Sequence, residues 1–145
     1  MLIGQYRAKI SPKGRTAFPK KFRDELGDEL VVTVGYENSL MIVAAKEWQS
    51  LVEGIEGKPF ILGSARDTNR FLLGEASEIA LDEQGRFILP LYLREHAKIT
   101  SDEVVFLGLN KYVEVWDKNN WEKYQKYLNE NIGEIADKLR KENVG

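Results

Sequence analysis

An α+β chain, mainly β and built from two tandem copies of one small unit, is what this sequence predicts. Three observations carry that reading. The stretch "ISPKGRTAFPKKFR" at 10–23 returns 71 residues later as "LDEQGRFILPLYLR" at 81–94, with the skeleton G-R-x-x-x-P-x-x-x-R kept in both. Short runs with apolar residues at every second position adjoin each copy, as in half-buried strands. Continuous helical spacing of apolar residues is long only at the C-terminal end, from Trp121 to Leu139.

The elements of the first unit follow in order. In "QYRAKIS", Tyr6, Ala8 and Ile10 alternate with Arg7, Lys9 and Ser11, which predicts a strand with its cations outward. "PKGR" is a turn, because Gly14 accepts the positive φ that other residues resist. "TAFP" returns as a second strand. Pro19 suits the first turn of a short helix, "PKKFRDEL", with Phe22 and Leu26 on its inner face and Gly27 as terminator. "ELVVTV", the turn "GYENS" and "LMIVAA" form a hairpin, and a helix presenting Trp48, Leu51 and Val52 closes the unit.

The second unit repeats the plan as "EIALD", "QGR", "FIL", "PLYLREHA", "EVVFLGL" and "YVEVW". Gly35 aligns with Gly108 and Trp48 with Trp121 after a two-residue insertion near Thr100. These spacings place repeat 1 at residues 5–47, repeat 2 at 76–119 and a C-terminal helical segment at 120–145. Its stripe is Trp121, Tyr124, Leu128, Ile132, Ile135 and Leu139, and Gly133 is expected to break it into two helices. Between the units, a loop rich in glycine leads into "SARDTNRFLL", a helix with Ser64 and Asp67 at capping-box spacing. One unit is too small and sheet-rich to bury a core alone, so the two are expected to pack as a pseudo-symmetric pair.

Charge separates the copies. The net charge is −2, yet residues 1–23 carry Arg7, Lys9, Lys13, Arg15, Lys20, Lys21 and Arg23 without a single Asp or Glu. The matching second window has Glu75, Glu78, Asp82, Glu83 and Glu95 against Arg86 and Arg94. Screening confines electrostatic reach to about 8–10 Å at ordinary salt, so local sign outweighs the sum. A cationic turn beside a cationic strand suits a polyanion, with arginine offering a planar fork and lysine a point charge.

The repeated motif, with Asp82 leading the second copy, resembles the swapped-hairpin DNA-binding fold of AbrB and SpoVT regulators. Two tandem copies in about 145 residues, joined by "SARDTNRFLLGEA", resemble the MraZ family of bacterial transcriptional regulators. The resemblance implies a double-ψ or swapped-hairpin barrel with peripheral helices, assembled into a ring. It further implies binding to repeated operator boxes ahead of the division and cell-wall gene cluster, in a cytoplasmic, nucleoid-associated protein. The family pattern has an acidic residue four positions before the motif arginine. Asp82 and Arg86 fit it, but Ser11 precedes Arg15. Ser11 can cap a turn through its hydroxyl but cannot form an ion pair.

The expected DNA-binding residues are Arg7, Lys9, Lys13, Gly14, Arg15, Lys20 and Lys21, with Asp82, Gly85 and Arg86 as a secondary or structural set. The first unit is expected to face DNA and the second to act as scaffold, with Leu91 and Tyr92 at a subunit contact. Arg23 and Arg94 can serve DNA or pair with carboxylates, and Arg66 and Arg70 are expected to meet acidic groups of the second unit. Several short contacts per subunit, repeated around a homo-oligomer, would match direct repeats. An antitoxin-like interaction module using the Trp121–Leu139 stripe is the alternative.

Enzyme chemistry finds no support. There is no cysteine, and the single His96 is expected on a helix surface. Neither a phosphate-binding G-x-x-x-x-G-K-[ST] loop nor a G-x-G-x-x-G turn occurs. Asp24-Glu25 and Asp28-Glu29 read as helix-end solvation. No cofactor, metal, membrane or small-molecule substrate is expected.

Overall fold

The computed structural model describes residues 1–56 and 63–144. The glycine-rich loop between the units falls largely outside them. The chain runs β1 (Leu2–Lys9), β2 (Arg15–Ala17), α1 (Lys20–Leu26), β3 (Glu29–Val34), β4 (Leu40–Ala44), α2 (Ala45–Glu56) and α3 (Gly63–Leu72). It continues with β5 (Ser77–Ala80), β6 (Arg86–Ile88), α4 (Leu91–His96), β7 (Glu103–Asn110), β8 (Val113–Asp117) and α5 (Lys118–Val144). Six strands form an antiparallel sheet in the order β1-β7-β8-β4-β3-β5, and β2 pairs with β6 in a separate ribbon.

The two units exchange strands. Among the described residues, the ladders within a unit are the hairpins β3–β4 and β7–β8, with a single further bridge between Ile10 and Thr16. Each remaining pairing crosses over: β1 with β7, β5 with β3, β2 with β6 and β4 with β8. The crossing is symmetric in detail. The Phe18 N–H donates to the Gly85 carbonyl and the Leu89 N–H to the Gly14 carbonyl, both at 2.8 Å.

Strand alternation gives the sheet two apolar faces. On one, Leu30, Val32, Leu40, Ile42, Val104, Phe106, Val113 and Val115 join Phe18, Phe22, Phe87, Leu89 and Leu93 in a buried cluster. Phe18 packs on the rings of Phe22, Phe87 and Phe106, so residues of both units meet there. On the other face, Val105, Leu107 and Trp116 pack beneath Trp121, with Tyr124 and Leu128 at the edge. Trp121 is therefore a core residue, whereas its counterpart Trp48 is only half-buried.

Four expectations are corrected. The final helix, which begins at Lys118, runs unbroken through Gly133. Open space surrounds the position a Gly133 side chain would take, so nothing there forces a kink. Asp67 pairs with Arg70 on its own helix at 2.9 Å, so that arginine's partner is not in the second unit, and Ser64 lies inside α3, which begins at Gly63, and does not cap it. His96 is half-buried: its Nε2 lies 3.4 Å from the Gly35 carbonyl and its ring packs on Phe71.

Asp117 has no counterpart in the first unit, where Ala44 aligns with it. It is buried and accepts from the Asn119 and Asn120 N–H groups as the cap of α5, at 3.0 and 3.2 Å. Its other oxygen accepts from the Thr100 and Ser101 N–H groups and the Ser101 hydroxyl. Burial works to raise its pKa, but these hydrogen bonds together outweigh it and hold the carboxyl below its ordinary 3.8. A depressed folded pKa gives stability that is complete above the unfolded value and is lost as pH falls through the folded one. Asp117→Asn is thus expected to cost about 2 kcal/mol at pH 7. In thermal melts the gap to the parent should narrow as pH drops below the ordinary 3.8.

Candidate nucleic-acid interface

Each motif copy begins as a turn closed by its own backbone. Ser11 and Arg15 exchange a 2.9 Å bond from the Ser11 N–H to the Arg15 carbonyl, matched by Asp82 and Arg86 at 3.0 Å. The Gly14 N–H donates to Ser11 and the Gly85 N–H to Asp82. Gly14 and Gly85 have φ of +91° and +76°, the region that favours glycine.

The leading residue of each copy caps its turn in the same way. Ser11 Oγ accepts the Arg15 N–H at 3.0 Å, while Asp82 Oδ1 accepts the N–H groups of Gln84 and Arg86. The difference lies in the side chains. Asp82 Oδ2 also binds Arg86 Nε at 3.0 Å, forming an ion pair. The Arg86 N–H above all, assisted by the Arg86 side chain, holds the Asp82 carboxyl below its ordinary range against a smaller desolvation effect. Among the described residues, Arg15 has no such partner, and Ser11 cannot supply one.

The turns lead into the β2–β6 ribbon. Thr16 and Phe87 point inward, whereas Arg15, Ala17, Arg86 and Ile88 are exposed. Arg15 lies opposite Ile88 and Arg86 opposite Ala17, so the two motif arginines occupy diagonal positions on one outer face. The two turns, which precede antiparallel strands, sit at opposite ends of the ribbon.

The structure divides the expected binding residues into three groups. Lys13 and Arg15 stand exposed at one end of the ribbon. Lys20 and Lys21 open α1, whose Arg23 bonds to Asp82 and Glu83, so they adjoin the other end. Arg7 and Lys9 lie on β1, where Arg7 meets Glu122 at 3.2 Å and Lys9 meets Asp102 at 3.7 Å. Among the described residues, Lys13, Arg15, Lys20 and Lys21 have no carboxylate within ion-pair distance. Gly14 is buried, and a Cβ there would lie 2.5 Å from the Leu89 carbonyl oxygen and 2.6 Å from Arg94 Nε.

Arg23 and Arg94 turn out to be crosswise clamps. Arg23 donates to the Asp82 and Glu83 carbonyls of the other unit's turn, both at 3.1 Å, and through Nε to Asp28 at 2.7 Å. Asp28 is the principal cause of a raised Arg23 pKa, so it does more than solvate a helix end. Arg94 donates to the Leu89, Pro12 and Lys13 carbonyls at 2.8, 3.2 and 3.3 Å. The repeated final arginine of the motif was visible in sequence, but the exchange of turns that gives it this role was not.

A family model described as "MraZ protein, putative antitoxin-like" matches residues 1–71 and again residues 72–142. The chain belongs to the MraZ family. Proteins named transcriptional regulator MraZ are similar over nearly its whole length. That of Caldanaerobacter subterraneus subsp. tengcongensis is 42% identical over 144 residues, 99% of this chain and 100% of the relative. Those of Thermoanaerobacter pseudethanolicus, at 42% over 99% and 100%, and Heliobacterium modesticaldum, at 37% over 96% of each chain, follow the same pattern. The two MraZ matches meet at the C-terminal end of α3, between Phe71 and Leu72. Among the described residues, no helix is long and apolar enough to cross a membrane.

Proposed function

We propose that this MraZ-family chain is a sequence-specific DNA-binding transcriptional regulator. Its target is repeated operator boxes upstream of its own gene, in the division and cell-wall cluster. The observation that carries this reading is the pair Lys13 and Arg15: exposed on a rigid turn and, among the described residues, opposed by no carboxylate. The equivalent Arg86 is held by Asp82. Lys20 and Lys21 add phosphate contacts, and Arg7 and Lys9 contribute less because Glu122 and Asp102 partly neutralise them. The swapped-hairpin barrel, ring assembly and nucleoid association belong to the same proposal. The exposed Leu91 and Tyr92 are its candidates for a subunit contact.

A protection footprint on the DNA upstream of its own gene tests the reading directly, with regularly spaced protected boxes expected. Ser11→Asp sharpens it. The new carboxylate should occupy Arg15 as Asp82 occupies Arg86, keep the turn capped, and weaken operator binding about tenfold, with one charge-assisted contact diverted. Unchanged binding by that variant would remove Arg15 from the interface.

A protein partner is a second reading. The distal part of α5 exposes Ile132 and Leu139, beyond the segment that covers the sheet. An antitoxin-like contact would use that stripe, with DNA binding secondary.

A further inference from the structure

The DNA reading places Lys13 and Arg15 at the interface, on a turn that its own unit closes through Ser11, by two backbone bonds and the hydroxyl cap, and through the Ile10–Thr16 bridge. We propose that Arg94, from the second unit, is a positioning residue that holds the DNA-reading turn in place. The inference rests on the DNA-binding reading and extends it to a residue 81 positions from Lys13 in sequence.

The geometry of Arg94 points to this role. Its guanidinium spans the turn, with one terminal nitrogen on the Pro12 carbonyl and the other on that of Lys13, while Nε is anchored on Leu89. A planar fork reaches two adjacent carbonyls at once, which an ammonium on a single stem does not. Gly14 permits the approach, since a Cβ would meet both the Leu89 carbonyl and Arg94 itself at under 3 Å. At the mirror clamp the glycine is less closely approached, since a Cβ at Gly85 would be 3.4 Å from Arg23, although the Arg23 bonds to that turn are as short, both 3.1 Å.

The two clamps also differ in charge. Arg23 spends Nε on Asp28, whereas Arg94 meets only carbonyls and, among the described residues, no carboxylate within ion-pair distance. Arg94 thus fixes the turn without bringing an anion beside Lys13 and Arg15. A carboxylate there would oppose the approach of phosphates. The second unit is more than inert support: it supplies the lock for the first unit's contact loop.

Full-length variants Arg94→Met, Arg94→Lys and Arg23→Met, measured for operator affinity at reduced salt, test this in parent and Lys13→Ala/Arg15→Ala backgrounds. Both Arg94 variants should lose about tenfold in affinity in the parent background. In the Lys13→Ala/Arg15→Ala background the loss should shrink to less than about twofold, because a residue acting only through the turn is non-additive with it. Arg23→Met should cost far less affinity than Arg94→Met at a similar loss of thermal stability. Amide exchange at Gly14 and Arg15 should quicken in both Arg94 variants while central-sheet amides stay protected. Rescue by lysine would assign the effect to charge, and an undiminished loss in the doubly substituted background would assign it to direct DNA contact. Either result, equal losses from Arg23→Met and Arg94→Met, or no loss at all, would overturn the proposal. If Lys13→Ala/Arg15→Ala alone binds like the parent, it is the DNA reading that fails. Exchange at the turn then still reports whether Arg94 holds it.

Discussion

Replacing Lys13 and Arg15 together by alanine is expected to lower operator affinity about a hundredfold, with Arg86→Ala costing less than about fivefold. Each lost cation removes a phosphate or base contact, and a good bidentate arginine contact is worth about 1–3 kcal/mol, where 1.4 kcal/mol is tenfold. Arg86 shares the ribbon face with Arg15, but its Nε is already engaged by Asp82 at 3.0 Å. Recruiting it to DNA would mean breaking that pair, so its removal forfeits less. Both side chains are exposed and neither contributes to the buried core, so thermal midpoints should barely move. Gel shift or anisotropy titration at fixed salt measures the difference, and equal losses from the two ends of the ribbon would refute the division of labour.

Phe18→Ala is expected to produce the largest loss of stability. Phe18 is almost fully buried, follows β2, and packs on Phe22 of its own unit and on Phe87 and Phe106 of the other. Truncation removes the transfer energy of the ring and leaves a cavity in the zone where the units interlock, about 3–5 kcal/mol. For a domain of this size that corresponds to roughly 10–15 °C in thermal midpoint. It should also weaken DNA binding on warming, because the Phe18 N–H bond to Gly85 belongs to the crossing that holds both turns. A shift of only a few degrees would show that the aromatic cluster does not join the two units energetically.

Local features were legible in the sequence because they are written in neighbouring residues. The repeat, the turn glycines, the proline at the start of each short helix and the recurring Trp121 all follow from spacing and backbone preference. Partners brought together by strand exchange were not. Arg7 meets Glu122 across 115 positions, and Arg94 meets Lys13 across 81. A run of cations that looks continuous in sequence is therefore split, with Lys13 and Arg15 at one end of the ribbon and Lys20 and Lys21 beside the other. Gly14 changes meaning for the same reason: its lack of a side chain makes room for Arg94. The helix through Gly133 continues because its exposed position meets nothing that would bend it, so the glycine's cost to helix propensity is absorbed by the surrounding turns.

Salt dependence tests the central claim most directly, namely that a chain of net charge −2 binds a polyanion through a few cations that, among the described residues, have no acidic partner. Operator affinity is expected to fall steeply with salt, with a log–log slope of about −0.9 for each phosphate engaged. Lys13→Ala/Arg15→Ala should flatten that slope by up to about two such steps. A parent slope near zero, or a slope that the double substitution leaves unchanged, would contradict the account.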